Sequence, residues 1–254
     1  MMAFRYDKTF EGLLSALFDA YTRKVFPDII LSPEEIPPLT VTTVYEVATS
    51  RPKADRVFAG LHKRLTREGK NSLLLAFLSE QPGMETWMFH YLCKVFNAPI
   101  GTFAEGDFSD KDTLTLDQTA RKVHGELYHL LGFARFQKTA EGIYFSALSP
   151  RYNILSLMLP HFMNRFSSHP WAIYDIRRSF GFYHNNGTIN EISLDDAVLT
   201  DGVLPTEWLA EGEKAFQKIW RQYLDAVTIK DRMNTRLQAR CLPKRFWPYL
   251  TEMQ

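Results

Sequence analysis

The stretch from Gly132 to Leu194 most constrains the fold, because runs of strand-forming residues alternate there with a single helical run. Phe133 to Lys138 and Ile143 to Leu148 are rich in aromatic and β-branched residues. The short segment between them contains a glycine and is typical of a hairpin loop. From Ile154 to Phe166 apolar residues recur every four positions, which predicts a helix that faces the core.

Three further strands are predicted after this helix, over Trp171 to Asp175, Arg178 to His184 and Thr188 to Leu194. Asn186-Gly187 separates the last two and favours a type I′ turn, because both central residues of that turn need a positive φ. Consecutive hairpins predict an α+β fold in which an antiparallel sheet of about five strands packs against a helix.

The regions on either side of this sheet are mostly helical. Helical spacing of apolar residues runs through Lys53 to Phe96, and Val41 to Val47 is predicted as a short strand. Proline and glycine residues between Asn97 and Asp110 mark a candidate boundary. We therefore expect a mostly helical N-terminal region over residues 1–108. An α+β domain over residues 109–254 would follow, ending in C-terminal helices.

Composition narrows the class of protein. The chain has 254 residues, of which 45% are hydrophobic and 23% charged, as in ordinary globular proteins. Its two cysteines are far apart in sequence and are expected to be reduced thiols. The longest apolar run, Leu73 to Leu78, is far shorter than the ~20 residues of a membrane span. The N-terminus lacks the apolar core of a signal peptide, so we expect a cytoplasmic protein without a membrane partner.

A formal net charge of +1 conceals a basic C-terminal segment. Between Gln217 and Leu250 there are eight basic residues against two acidic ones, and Arg232, Arg236 and Arg240 would form one stripe on a helix. Five aromatic residues lie among these charges: Trp220, Tyr223, Phe246, Trp247 and Tyr249. Cations follow a phosphate backbone and aromatic faces stack on unpaired bases, so the segment suits single-stranded nucleic acid. The alternative is a terminal helix with a solvated basic face and inward-packed aromatic rings.

Signatures of metal and cofactor sites are missing from the sequence. We find no glycine-rich phosphate loop, no dinucleotide fingerprint, no zinc-deaminase pattern and no cysteine triplet for an iron–sulfur cluster. His124 and His129 are close in sequence, but on a helix they point to different faces. We therefore expect neither a metal nor a cofactor in this chain.

Short motifs of aromatic, basic and small residues occur along nearly the whole chain. They are Tyr6-Asp7, Phe10 to Leu14, Phe18 to Tyr21, Gly132 to Phe136, Pro150, His161-Phe162, Arg165-Phe166, Trp171 to Ile173, Trp220 to Tyr223, Ile229, Arg232, Asn234, Pro243 to Trp247 and Thr251-Glu252. Together they resemble a bacterial family assigned to DNA metabolism or repair. Members of that family are typically encoded beside a radical SAM protein, and the same C-terminal domain is fused to a uracil-DNA-glycosylase-like domain in some bacteria.

The resemblance implies an accessory protein of DNA repair or modification that binds nucleic acid and works with a separate radical SAM enzyme. Its arginines would contact phosphates, while its aromatic side chains would stack on bases or support those cations. The candidate nucleic-acid-binding residues are Arg135, Arg165, Arg177, Arg178, Trp220, Arg221, Tyr223, Arg232, Asn234, Arg245 and Trp247.

Two alternatives stay open. One is a nucleic-acid-processing enzyme of the glycosylase or lyase type, with Glu126, His161 and Asp175 as candidate general acids or bases. The resembled family reads Glu-x-His-Arg where this chain has Glu126-Leu127-Tyr128-His129, so the histidine is missing here. The other is a protein-interaction subunit of the radical SAM partner, which would dock through Phe246 to Tyr249 because aromatic residues are enriched at interfaces.

Overall fold

The computed structural model describes residues 1–194 and 204–253, and the chain forms two compact units. The first is Met1–His124 and the second is Gly125–Gln254. This division falls within one long helix, α5 (Lys111–Phe133). The boundary predicted from the sequence, between residues 108 and 109, lies in the loop that precedes α5.

The first unit contains a small parallel sheet. Strand β1 (Met2–Arg5) lies between β2 (Ile29–Leu31) and β3 (Thr43–Glu46) and is parallel to both. The sequence predicts only β3, through the β-branched run Val41 to Val47. Because β1 and β2 have four and three residues, they are too short to show an alternating pattern. The N-terminal part is therefore less purely helical than predicted.

Four further helices of the first unit are α1 (Phe10–Arg23), α2 (Arg51–His62), α3 (Arg67–Phe77) and α4 (Met84–Asn97). Thr9 and Thr66 begin two of them as N-caps. Their side chains accept hydrogen bonds from the backbone N–H groups of Gly12 at 2.9 Å and Gly69 at 3.1 Å, which satisfies donors that a helix start leaves unpaired. The buried core includes Phe4, Leu13, Leu17, Met88, Phe89 and Leu92.

The second unit is built on a five-stranded sheet in the order β4-β5-β6-β7-β8. The strands are β4 (Gln137–Lys138), β5 (Tyr144–Leu148), β6 (Trp171–Asp175), β7 (Phe180–Asn185) and β8 (Thr188–Ile192). Strand β4 is shorter than predicted because α5 continues through Phe133. The predicted turn between β7 and β8 is confirmed, since Asn186 has a φ of 49° and Gly187 a φ of 80°.

The sheet is mixed, so the prediction of an antiparallel sheet is wrong for one pair of strands. Strands β5 and β6 are parallel, whereas the other three neighbouring pairs are antiparallel. Helix α6 (Leu155–Arg165) connects β5 to β6. A connection of this kind carries the chain from the end of the sheet where β5 finishes back to the end where β5 began, as parallel neighbours require.

The described chain resumes at residue 204 and is mainly helical to residue 253. It contains α7 (Glu213–Val227), α8 (Thr235–Cys241) and the 3-10 turns Thr206–Trp208, Lys230–Arg232, Lys244–Tyr249 and Thr251–Met253. Phe246 and Leu250 are buried, and the Phe246 ring lies 5.6 Å from that of Phe133 at the end of α5. These contacts hold the last turns of the chain in the second unit.

Gly181 provides a test of the register between β6 and β7. It is paired with Tyr174, and a Cβ atom added there would lie 2.4 Å from the backbone oxygen of Ile173. We expect Gly181→Ala to lower the free energy of unfolding by about 1–3 kcal/mol, because the backbone must shift to accept the methyl group. Urea denaturation of the purified protein measures the change.

Gly125→Ala is the matched control, since nothing lies within 4 Å of a Cβ atom at that position of α5. Alanine is preferred over glycine in a helix by roughly 1 kcal/mol, so this variant should be at least as stable as the wild type. Equal stability of Gly181→Ala and the wild type would contradict the close approach of β7 to β6.

Candidate nucleic-acid interface

One row of side chains crosses the sheet of the second unit on a single face. Residues paired across neighbouring strands point to the same side. From β4 to β7 the row consists of Lys138, Tyr144, Trp171 and His184. The Lys138 Nζ lies 5.9 Å from the centroid of the Tyr144 ring, and the rings of Trp171 and His184 stack at 4.9 Å. Helix α6 packs on this face through Phe162, whose ring is 5.9 Å from that of Trp171.

A groove of about 540 Å³ lies beside this row, where α7 faces the edge of the sheet. Side chains with cations and aromatic rings dominate its lining, together with one carboxylate: Arg135, Lys138, Tyr144, Phe216, Trp220 and Glu213. Glu213 accepts hydrogen bonds from the backbone N–H of Lys138 at 3.1 Å and from the Gln217 amide at 3.0 Å. This carboxylate therefore joins the start of α7 to β4.

Arg135 is held at the groove by Glu252. The Nη2 atom of Arg135 lies 2.6 Å from Oε1 of Glu252, and its Nε atom lies 3.2 Å from each carboxylate oxygen. The Trp220 indole donates its N–H to Oε2 of the same carboxylate at 3.2 Å. The guanidinium carbon of Arg135 is 5.9 Å from the centroid of the Trp220 ring. One carboxylate thus positions both a cation and an indole ring.

The pKa of Glu252 is lower than that of an ordinary glutamate. Burial on its own raises this pKa, but the hydrogen bonds and charge of Arg135, with a smaller contribution from the Trp220 N–H, outweigh it. The carboxylate is accordingly ionised at neutral pH, and the ion pair with Arg135 is complete.

Helix α7 exposes an aromatic and apolar face. Phe216, Ile219, Trp220, Tyr223 and Val227 follow one another at helical spacing, and their exposure ranges from 37% for Trp220 to 70% for Phe216. The rings of Trp220 and Tyr223 stack with 5.8 Å between centroids and 25° between planes. Contiguous exposed apolar surface of this kind marks a binding surface.

Basic residues after α7 face solvent, but they are divided between two elements. Arg232 lies in a 3-10 turn, whereas Arg236 and Arg240 are on α8, and all three are exposed. Asn234 separates them as the N-cap of α8, because its Oδ1 accepts a hydrogen bond from the Leu237 N–H at 2.9 Å. Arg221 is half-buried on α7.

Two of the predicted nucleic-acid contacts are engaged inside the second unit. Arg245 forms an ion pair with Glu126, with 2.8 Å between Nη2 and Oε2, and its guanidinium carbon is 4.5 Å from the Phe246 ring centroid. The Trp247 indole donates its N–H to the Leu242 carbonyl at 3.0 Å. Both side chains stabilise the C-terminal turn.

Glu126 and Asp175 are buried, and both carboxylates are bound by partners near the loop that follows β5. Glu126 accepts a hydrogen bond from the Arg151 N–H in addition to its ion pair with Arg245. Asp175 lies 2.8 Å from the Nη1 atom of Arg178 and accepts a hydrogen bond from the Arg177 N–H at 2.9 Å. Burial raises the pKa of Asp175, against the opposing effect of Arg178.

Arg177 and Arg178 are directed at the same loop. The Arg177 Nη1 donates to the Arg151 carbonyl at 3.1 Å, and the Arg178 Nη1 donates to the Pro150 carbonyl at 3.2 Å. Arg178 also precedes β7 instead of lying within it as predicted. Buried carboxylates and arginines here fix the backbone of one loop.

His161 and Arg165 are exposed on α6. The His161 ring lies 5.2 Å from that of Phe162, and the Arg165 guanidinium carbon lies 5.7 Å from the Phe166 ring centroid. The lining of the groove contains none of the candidate acids and bases Glu126, His161 and Asp175. Of the predicted site residues, the structure brings Arg135 and Trp220 together at the groove, and Tyr223 stacks on Trp220.

Sequence reasoning missed the roles of Lys138, Tyr144 and Glu252 at the groove. Lys138 and Tyr144 lie on the two predicted hairpin strands, so the expected pairing of those strands could have shown that the two side chains are neighbours. Glu252 belongs to Thr251-Glu252, one of the motifs that carry the family resemblance. Nothing in that motif indicates an ion pair with Arg135, which lies 117 positions earlier.

Residues 1–194 and 204–253 contain neither a cluster of metal ligands nor a helix that could span a membrane. No group of three or more His, Cys, Asp and Glu side chains in this part of the chain could hold a metal ion. None of the helices in the same residues is both long and apolar enough to cross a membrane.

A family model described as a domain of unknown function, DUF4130, matches residues 82–252, about two thirds of the chain. The chain therefore belongs to the DUF4130 family. No curated protein and no solved structure matches it. The matched residues begin just before α4 and include the whole groove.

The ion pair at the groove gives a pH-dependent prediction. Glu252→Gln should lower the free energy of unfolding at neutral pH by about 1–3 kcal/mol, because hydrogen bonds to a charged partner are weakened. Since folding lowers the pKa of Glu252, this contribution is present above the unfolded pKa of about 4.3. It is lost as the pH falls through the still lower folded pKa. Urea denaturation between pH 7 and pH ~3 measures the difference.

Glu141→Gln is the control for this series, since Glu141 is exposed in the loop between β4 and β5 and its replacement should change stability by less than about 0.5 kcal/mol. A difference between Glu252→Gln and the wild type that stays constant with pH would contradict the assigned ion pair.

Proposed function

We propose that this member of the DUF4130 family binds single-stranded nucleic acid as an accessory protein of DNA repair or modification. The observation that carries the proposal is the exposed stack of Trp220 on Tyr223, in which Trp220 lines a groove that also contains the cation of Lys138. Aromatic faces accept unstacked bases and neighbouring cations follow the phosphates, which is how sequence-tolerant single-strand binders work.

Local charge supports this proposal, although the net charge of the chain is only +1. The exposed basic side chains on and after α7 include Lys214, Lys218, Lys230, Arg232, Arg236, Arg240 and Lys244. Such a segment attracts a polyanion by releasing counterions, so binding should weaken steeply as salt is added.

The aromatic side chains favour a single strand over a duplex. The Trp220 and Tyr223 rings are exposed on α7. They gain stacking energy only from bases that are not already stacked on adjacent bases. Duplex bases are already stacked on one another and offer no free face to these rings. We therefore assign the groove and α7 to an unpaired strand.

Internal ion pairs narrow the set of residues that contact nucleic acid in this proposal. Arg178 and Arg245 are paired with Asp175 and Glu126, and separating either pair would leave a buried carboxylate without its partner, which is costly. We assign these arginines to the assembly of the domain. Phosphate contacts are assigned to the exposed residues after α7, together with Lys138.

A second candidate function is favoured by a separate observation. Ile229, Met233 and Leu237 are each more than half exposed and extend the apolar surface beyond α7. Exposed apolar residues in a series are typical of a protein interface. The partner proposed for it is the radical SAM enzyme that the sequence resemblance implies.

The nucleic-acid proposal is tested by fluorescence anisotropy with a labelled single-stranded oligonucleotide. Trp220→Ala combined with Tyr223→Ala should weaken binding about 10- to 100-fold, because stacking contributes roughly 1–3 kcal/mol per base. Trp208→Ala is the matched control, since Trp208 is also exposed but does not line the groove. Unchanged affinity of the double variant, or wild-type binding that ignores salt, would refute the proposal.

The partner proposal is tested by co-purification with a radical SAM protein of the kind that the sequence resemblance implies. Replacing Ile229, Met233 and Leu237 by serine removes apolar surface without changing charge, so the complex should be lost while affinity for DNA stays within about threefold. Ile36→Ser with Leu39→Ser is the control, because both side chains are highly exposed in the first unit. Retention of the complex by the triple variant would refute the assignment of this surface to the partner.

A further inference from the structure

Two polar side chains of α7 meet at the groove beside Trp220. Glu213 and Gln217 both line it, and they lie one turn apart on the helix. The Gln217 amide donates from Nε2 to Oε1 of Glu213 at 3.0 Å. Oε2 of the same carboxylate accepts the backbone N–H of Lys138 at 3.1 Å. The amide is therefore held to strand β4 through Glu213.

The carboxylate decides which way the Gln217 amide points. An ionised carboxylate can only accept hydrogen bonds, so the nitrogen of the amide must face Glu213. This leaves the second N–H of Nε2 and the Oε1 atom, because the Gln217 side chain makes no other hydrogen bond within residues 1–194 and 204–253. Gln217 is half-buried and lines the groove, so a ligand that lies in the groove can reach both groups.

Neither size nor stacking selects a base in this groove. Its volume of about 540 Å³ is well above the ~150 Å³ of a cavity that holds one benzene ring, so purines fit as well as pyrimidines. Every base has an aromatic face, so stacking is unselective as well. Discrimination among bases therefore depends on hydrogen bonds to the base edge.

The other polar groups at the groove do not discriminate. Arg135 donates from Nη1 to the main chain, and from Nε and Nη2 to Glu252. The Thr251 hydroxyl can donate or accept, so it favours neither kind of edge. Lys138 is assigned to phosphate in the proposed function. The pair of amide and carboxylate is left to read the base.

This pair presents an acceptor, a donor and an acceptor in sequence: the Glu213 carboxylate, the free N–H of Gln217 and the Gln217 Oε1 atom. The Watson–Crick edge of adenine offers an amino donor beside a ring-nitrogen acceptor, followed by a neutral C–H, and so complements the pair. Thymine and uracil have carbonyl, N–H and carbonyl, the same order as the pair itself, so like groups would face each other. Cytosine and guanine match it only in part.

We propose that Gln217, positioned by Glu213, recognises adenine in a strand that occupies the groove. The base lies against Trp220, which is a neighbour of Gln217 on the helix surface because the two are three residues apart. Glutamine amides also contact adenine in the grooves of DNA. This inference rests on the proposed function and adds a base preference at one position of the strand.

The first test compares two short oligothymidylates that differ only at the central base, which is adenine in one and hypoxanthine in the other. Hypoxanthine is a purine of the same size, but a carbonyl replaces the amino group and an N–H replaces the ring acceptor. Stacking is therefore matched while the edge is reversed. Fluorescence anisotropy with the full-length protein should show that the adenine strand binds about three- to tenfold more tightly, as expected for one net hydrogen bond.

Gln217→Met removes the amide at similar side-chain length and should make the two affinities equal. Gln238→Met is the matched control, because it makes the same change at an exposed position of α8 and should preserve the preference. A purely structural role of Gln217 would weaken the binding of both strands and leave their ratio unchanged. Circular dichroism checks that the variants are folded, and Gln217→Leu replaces Gln217→Met if the latter is not.

The second test uses saturation-transfer NMR with free adenosine and free inosine, which lack phosphate. Adenosine should show the stronger transfer, and Gln217→Met should abolish the difference. Equal affinities of the wild type for the two strands, or a preference that persists in Gln217→Met, would overturn the adenine assignment and leave the proposed function standing. Selective transfer from adenosine without binding of either strand would overturn the proposed function and retain the adenine site. Absence of both would overturn both.

Discussion

The parallel pairing of β5 with β6 is the constraint on which the candidate site depends. It places Tyr144 opposite Trp171, and the hairpins on either side then add Lys138 and His184 to the same row. A slip of one residue in the pairing would turn Phe145 to this face instead, because strand side chains alternate. The groove and the placement of Lys138 over Tyr144 both follow from this one register.

Carboxylates then attach the C-terminal helices and turns to α5, to the loop after it and to β4. Glu252 binds Arg135, Glu126 binds Arg245, and Glu213 accepts a hydrogen bond from the backbone of Lys138. Arg135 and Arg245, which the sequence alone assigns to phosphate contacts, are thereby paired with carboxylates. In the proposed function, stacking and hydrogen bonding would therefore act within the groove, and the exposed arginines of α8 would provide the long-range attraction for the strand.

Local features of the second unit could be predicted from the sequence, whereas features that depend on distant partners could not. The Asn186-Gly187 turn was predictable because its φ angles are a property of those two residues. Arg245 looks like a free cation in the sequence, since nothing near it in the chain reveals a buried carboxylate partner. Arg245 finds Glu126 at a distance of 119 positions. The β5–β6 pair was missed because a helical connection, which favours parallel strands, was interpreted as part of a series of hairpins.

The DUF4130 match separates the parts of the chain that carry the proposed function from those that do not. It covers residues 82–252, so the groove and α7 lie within it, whereas the parallel sheet β2-β1-β3 lies outside it. The features on which the proposed function depends are therefore local to this segment: the stack of Trp220 on Tyr223, the Glu252 carboxylate that positions Trp220, and the cation of Lys138 at the groove.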